Sequence, residues 1–90
     1  MPLKETITVD PQALVLGALA WTLGEDVRAQ RFLTLTGIDP ATLRAAAGAP
    51  ATLDAVLGFL EGHQPDLVAC AEALGVKPEQ LVAAREMLGR

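Results

Sequence analysis

Thr36-Gly-Ile-Asp-Pro-Ala-Thr-Leu-Arg44 reads as one helix ending and another beginning within a few residues. Gly37 follows a helix-like stretch at the position where a left-handed cap residue is wanted. Asp39 can accept bonds from the free amides of a first turn, and Pro40 fits there because its missing N–H costs nothing. The same punctuation recurs along the whole chain. Pro11, Pro50, Pro65 and Pro78 each stand before a further helix-like stretch, and Asp10 precedes Pro11 as a second capping acid. Gly24, Gly48, Gly62, Gly75 and Gly89 each follow one, again where a left-handed cap is wanted. The spacing predicts six short helices at 11–23, 25–36, 40–47, 50–61, 65–74 and 78–88.

Apolar periodicity agrees with that division. Ala29, Phe32 and Leu33 share a face, as do Leu53, Val56, Leu57 and Leu60. Leu67, Cys70, Ala71 and Leu74 repeat the spacing, and Leu81, Ala84 and Leu88 follow it. The first helix is apolar nearly all round from Ala13 to Leu23, which suits either the centre of a bundle or a face covered by another subunit; the central position is the plainer reading. Residues 1–9 stand apart. Thr6-Ile-Thr-Val9 alternates like a strand with no second strand to pair with, and is read as an extended arm lying on the bundle. The expected fold is all-α: a compact orthogonal bundle of five to six short helices over residues 10–90, with an extended N-terminal arm at 1–9. Thr36-Gly-Ile-Asp-Pro-Ala-Thr-Leu-Arg-Ala-Ala46 echoes Leu74-Gly-Val-Lys-Pro-Glu-Gln-Leu-Val-Ala-Ala84. Two copies are too few for a solenoid, so both are taken as the same corner used twice.

Composition narrows the class further. Of 90 residues, 51% are apolar, which can offset the entropy of ordering the chain. The net charge of −4 argues against general binding to nucleic acid or anionic membranes, which reward a basic face. The single cysteine, Cys70, cannot form an internal disulfide and fits a cytoplasmic setting. Ala13-Leu-Val-Leu-Gly-Ala-Leu-Ala20 looks like the apolar run of a secretory signal, but Glu5 and Asp10 stand against Lys4 where such signals carry positive charge. The run is also too short to span a bilayer.

Few residues suggest chemistry. Ala71-Glu-Ala-Leu-Gly-Val76, with Leu81 beyond it, has the spacing of a helix-turn-helix, making helices 65–74 and 78–88 a candidate DNA-binding unit. Any tight helical corner has that spacing, and the would-be reading helix sets Glu79 and Glu86 beside Gln80 and Arg85, with Lys77 alone at its start. Cys70 is a candidate nucleophile with His63 as its base. Its place on an apolar stripe favours an inert thiol instead. One Cys and one His fall short of a zinc site, and no phosphate-binding or hydrolase motif occurs. No metal and no cofactor are expected. Trp21 is either an interface anchor or a core plug, the second being favoured in a chain so poor in aromatics. Arg28, Arg31 and Arg44 lie near the corner after the second helix and suggest a small cationic patch; solvated or loosely paired surface arginines are the plainer reading.

Several of these stretches resemble a known family. Ala18-Leu-Ala-Trp21, Arg31-Phe-Leu-Thr-Leu-Thr-Gly-Ile-Asp-Pro40 with Leu43-Arg44, Ala55-Val-Leu-Gly-Phe-Leu60, and Leu67-Val-Ala-Cys-Ala-Glu-Ala-Leu-Gly75 through Pro78 are similar to the uncharacterised bacterial family catalogued as domain of unknown function 3572 (DUF3572). The likeness covers roughly residues 12–88, and the Arg31–Pro40 stretch is its most distinctive part. Gly58 departs from it, standing where a polar or acidic residue is expected. The resemblance implies a bacterial cytoplasmic setting and carries no catalytic residue. The sequence therefore points to a non-enzymatic helical module acting on a protein partner or on itself as a homodimer. Trp21, Arg28, Arg31 and Arg44 are its candidate contact residues. A DNA-binding regulator and a thiol protein acting through Cys70 are the alternatives.

Overall fold

Asp10 begins the part of the chain that the computed structural model describes, residues 10–89; the arm expected at 1–9 lies outside it. Six helices follow: α1 (Pro11–Leu23), α2 (Asp26–Thr36), α3 (Pro40–Ala45), α4 (Pro50–Glu61), α5 (Gln64–Leu74) and α6 (Pro78–Leu88). The starts are set by the expected chemistry. Asp10 accepts from Ala13 N–H at 3.0 Å. Asp39 accepts from Ala41 and Thr42 N–H at 3.0 and 3.3 Å. A third capping acid was not expected: the Glu25 side chain accepts from Arg28 N–H at 3.0 Å and starts α2 one residue later than the spacing predicts.

The helix ends differ from expectation in an instructive way. Only Gly37 and Gly75 take the left-handed conformation, both with φ 73°. Gly24, Gly62 and Gly89 close their helices in the right-handed region, and α3 ends before Gly48, with Ala46 as its cap. At Gly24 and Gly62 the next helix begins within two residues, so the chain turns while still close to helical geometry. At Gly37 and Gly75 an extended residue pair leads to the next proline, and a left-handed residue is what redirects the backbone. Replacing Gly75 by Ala should therefore cost about 1 kcal/mol, the penalty of placing a Cβ in that region. Gly62→Ala should stay within about 0.5 kcal/mol. Urea midpoints of the two variants check the contrast.

α1 is the central helix, packing against α2, α4, α5 and α6. It buries Leu14, Val15, Ala18, Leu19 and Thr22, and the Thr22 hydroxyl is satisfied by donating to the Ala18 carbonyl at 2.8 Å. Gly17 lets the Leu74 side chain lie close on its flank, 3.3 Å from where a Cβ would sit. Around α1 close Phe32 of α2, Leu53, Val56, Leu57 and Leu60 of α4, Leu67, Cys70 and Ala71 of α5, and Leu81 and Ala84 of α6. Ala29, Leu33, Leu74 and Leu88, also expected inside, are half-buried at the margin. α3 adds only Leu43. No helix among the described residues is long and apolar enough to cross a membrane.

Candidate functional site

Trp21 and Arg28 occupy each other. Trp21 sits half-buried in the last turn of α1, and the Arg28 guanidinium lies over its ring, with Cζ 3.6 Å from the centroid. The same guanidinium donates to the Trp21 carbonyl in the last turn of α1, which also accepts from the capping Gly24 N–H at 3.1 Å. A cation there also complements the negative end of the helix dipole. Arg28 is thus a clamp across the α1–α2 corner, with Glu25 3.7 Å from its Nη1.

Arg31, one turn further along α2, is held differently. Its Nη2 donates to Asp66 on the first turn of α5, and its Cζ stands 5.4 Å from the Phe59 ring centroid. His63, which opens α5, places Nδ1 3.1 Å from the same Asp66 oxygen. Asp66 therefore anchors two side chains. Its own position at the start of a helix favours a carboxylate there. Phe59 is fixed in turn by Phe32, whose ring meets it edge to face at 5.4 Å and 84°.

These residues border an open groove of about 410 Å³, lined by Arg31, Leu35, Thr36, Gly58, Phe59, Gly62 and His63. Leu35 projects from its rim with 70% of its surface exposed. Gly62, just past the end of α4, leaves the backbone bare there, whereas the open side of Gly58 is filled by the Arg85 guanidinium. Among the described residues no acid lines the groove; Asp66 stands behind it. Arg31 has one N–H bound to Asp66 out of the five that a guanidinium carries, and its side chain is 40% exposed.

A second cleft, about 340 Å³, runs between α4 and the end of α6. Its charges satisfy one another. Arg85 donates from Nε and Nη2 to the two Asp54 oxygens at 2.7 and 3.3 Å, and from Nη1 to Glu61 at 3.0 Å. The hydrogen bonds from Arg85 hold the Asp54 carboxyl below its usual range, and those carboxylates hold the guanidinium proton more tightly. Gly58 accounts for the fit: a Cβ there would lie 3.3 Å from Arg85 Nη2. The absence of a side chain at Gly58 is what lets Arg85 lie across α4.

The remaining candidates are scattered. Arg44 is exposed in the last turn of α3 and joins none of the ion pairs among the described residues, so the three arginines do not make one bare cationic patch. Cys70 is fully buried on α5. Burial pushes its thiol up to about 11, Arg28 pulling against the rise and Asp66 adding to it. No hydrogen bond joins it to His63 among the described residues. Arg85, the one arginine of α6, is taken up by Asp54 and Glu61, leaving Glu79, Gln80 and Glu86 on the exposed side of that helix. Among the described residues no group of three or more His, Cys, Asp or Glu side chains is placed to hold a metal ion.

The family model described as "Protein of unknown function (DUF3572)" matches residues 8–90. The chain belongs to this family. The match reaches a few residues beyond the stretch whose likeness is visible by eye. No curated protein and no solved structure matches the chain. Within this DUF3572 domain the groove gathers Arg31 from the expected contact residues and adds Leu35, Phe59 and His63, with Asp66 holding Arg31 from behind. The His63–Asp66 pair has a local signal, an acid three residues into a helix behind a histidine. Its pairing with Arg31 spans 35 positions and has none.

Proposed function

We propose that this DUF3572 domain is a non-enzymatic protein-interaction module whose contact surface is the groove between α2 and the α4–α5 corner. The observation that carries the reading is Leu35, which stands exposed on the groove that Phe59 and the Gly62 corner also line. An apolar rim of that kind, with a positioned arginine, is the usual make-up of the centre of an interface. Further exposed apolar residues support contact with other proteins, Leu16 and Leu23 on α1 and Val27 at the start of α2. The buried thiol and the absence of convergent unpaired polar groups in the groove support a binding role over a catalytic one. A free cysteine kept inside the fold also suits a cytoplasmic setting.

The test is affinity capture of the tagged protein from its own source cells, with and without nuclease. A stoichiometric protein, either a partner or a second copy, should survive nuclease treatment and be lost with Leu35→Asp. Leu35 is exposed enough that this change leaves the fold intact. Capture that is unchanged by Leu35→Asp, or that disappears with nuclease, overturns the reading.

A further inference from the structure

We infer that the groove takes a partner segment presenting a leucine-sized side chain with an aspartate or glutamate beside it. This rests on the docking reading above and adds the chemistry of the occupant. The apolar part follows from Leu35, which stands 70% exposed on a groove that the largely buried Phe59 ring also lines. Gly62, exposed and without a side chain, lets a partner main chain approach the end of α4, whereas the open side of Gly58 is already taken by Arg85.

The acidic part follows from charge. Among the described residues, Arg31 and His63 are the only ionisable groups lining the groove, and no carboxylate lines it. Arg31 is held from two sides, by Asp66 and by the face of Phe59, so its remaining donors are fixed in direction before a partner arrives. A guanidinium fixed in this way favours a carboxylate, which it can bind through two N–H groups at once. Arg85 is the counter-example within the same fold: its Nε, Nη1 and Nη2 are all bound to carboxylates of its own chain. The net charge of −4 does not oppose such a contact strongly, because repulsion from distant acids is screened beyond about 8 Å at physiological ionic strength.

The experiment is selection of a displayed library of random linear peptides against the whole chain. Selected peptides are then titrated into the wild type and into Leu35→Asp, Arg31→Gln and Arg44→Gln. Enriched peptides should carry an apolar residue next to an acid and lose binding with Leu35→Asp. Arg31→Gln should weaken them about tenfold, the worth of one charge-assisted hydrogen bond. Changing the peptide's own acid to its amide should weaken them equally, a readout that holds even if the Arg31 variant folds poorly. Arg44→Gln should have no effect. Peptides that need Leu35 but carry no acid, or are indifferent to Arg31→Gln, overturn the carboxylate and leave the docking reading standing. Failure to enrich any peptide, or binding indifferent to Leu35→Asp, overturns both.

Discussion

Phe32→Ala should lower the stability of the domain by about 3–5 kcal/mol, the range for truncating a buried aromatic ring. Phe32 has no exposed surface and is among the largest side chains in the core. Its edge contact with Phe59 adds to the burial. A domain of this size has roughly 5–14 kcal/mol of stability to lose, so the urea midpoint followed by far-UV circular dichroism should fall by about a fifth or more. The damage should extend to the groove, because Phe59 loses the ring that fixes it and Arg31 then loses its firm seat. Phe32→Leu, which keeps most of the volume, should cost about 1–1.5 kcal/mol. A loss for the alanine variant no greater than for the leucine variant would show that the Phe32–Phe59 pair does not organise this side of the core.

The second large effect concerns alkaline pH. Burial keeps the Cys70 proton on until about pH 11, whereas the same thiol in the unfolded chain ionises near pH 9. Below pH 9 both states hold the proton and stability does not depend on it. Between pH 9 and 11 the unfolded state releases its proton while the folded state retains it, so stability falls as pH rises. A displacement of this size corresponds to about 2–3 kcal/mol across the window. Urea unfolding at a series of pH values should show the decline in the wild type and a shallower slope in Cys70→Ala. Equal slopes would mean that the thiol is not held in a protonating environment. The same burial predicts that alkylation at neutral pH is slower than that of an exposed thiol by at least about a hundredfold, since so little thiolate is present.

Much of this architecture can be read locally. Proline at the first helical position and aspartate in front of it act within one turn, so the starts of α1 and α3 follow from Asp10-Pro11 and Asp39-Pro40 alone. The apolar faces of α4 and α5 are as local, and Leu53, Val56, Leu57 and Leu60 are all inside as their spacing requires. The hand of each glycine is not local in this sense. It depends on how far away the next helix begins, which separates Gly37 and Gly75 from Gly24 and Gly62. The groove lies furthest from the sequence. Arg31 meets Asp66, and Arg85 meets Asp54, only because α2 packs on α4, which turns directly into α5, and α4 packs on α6. Arg28 illustrates the same point across a single corner: its seven-residue separation from Trp21 suggests nothing until α2 folds back to place it on the indole.

The central position of α1 bears on how the domain is made. The first of the six described helices is the one that every later long helix packs against, and its partners include α6. On a nascent chain the face of α1 meant for α6 remains without its cover until α6 has emerged. The core therefore reaches its full set of contacts only when α6 is in place. During that interval the part of the α1 surface that α6 covers is exposed on a chain still tethered for synthesis. Slowing translation before α6 should therefore raise the burden on whatever chaperone shields that surface.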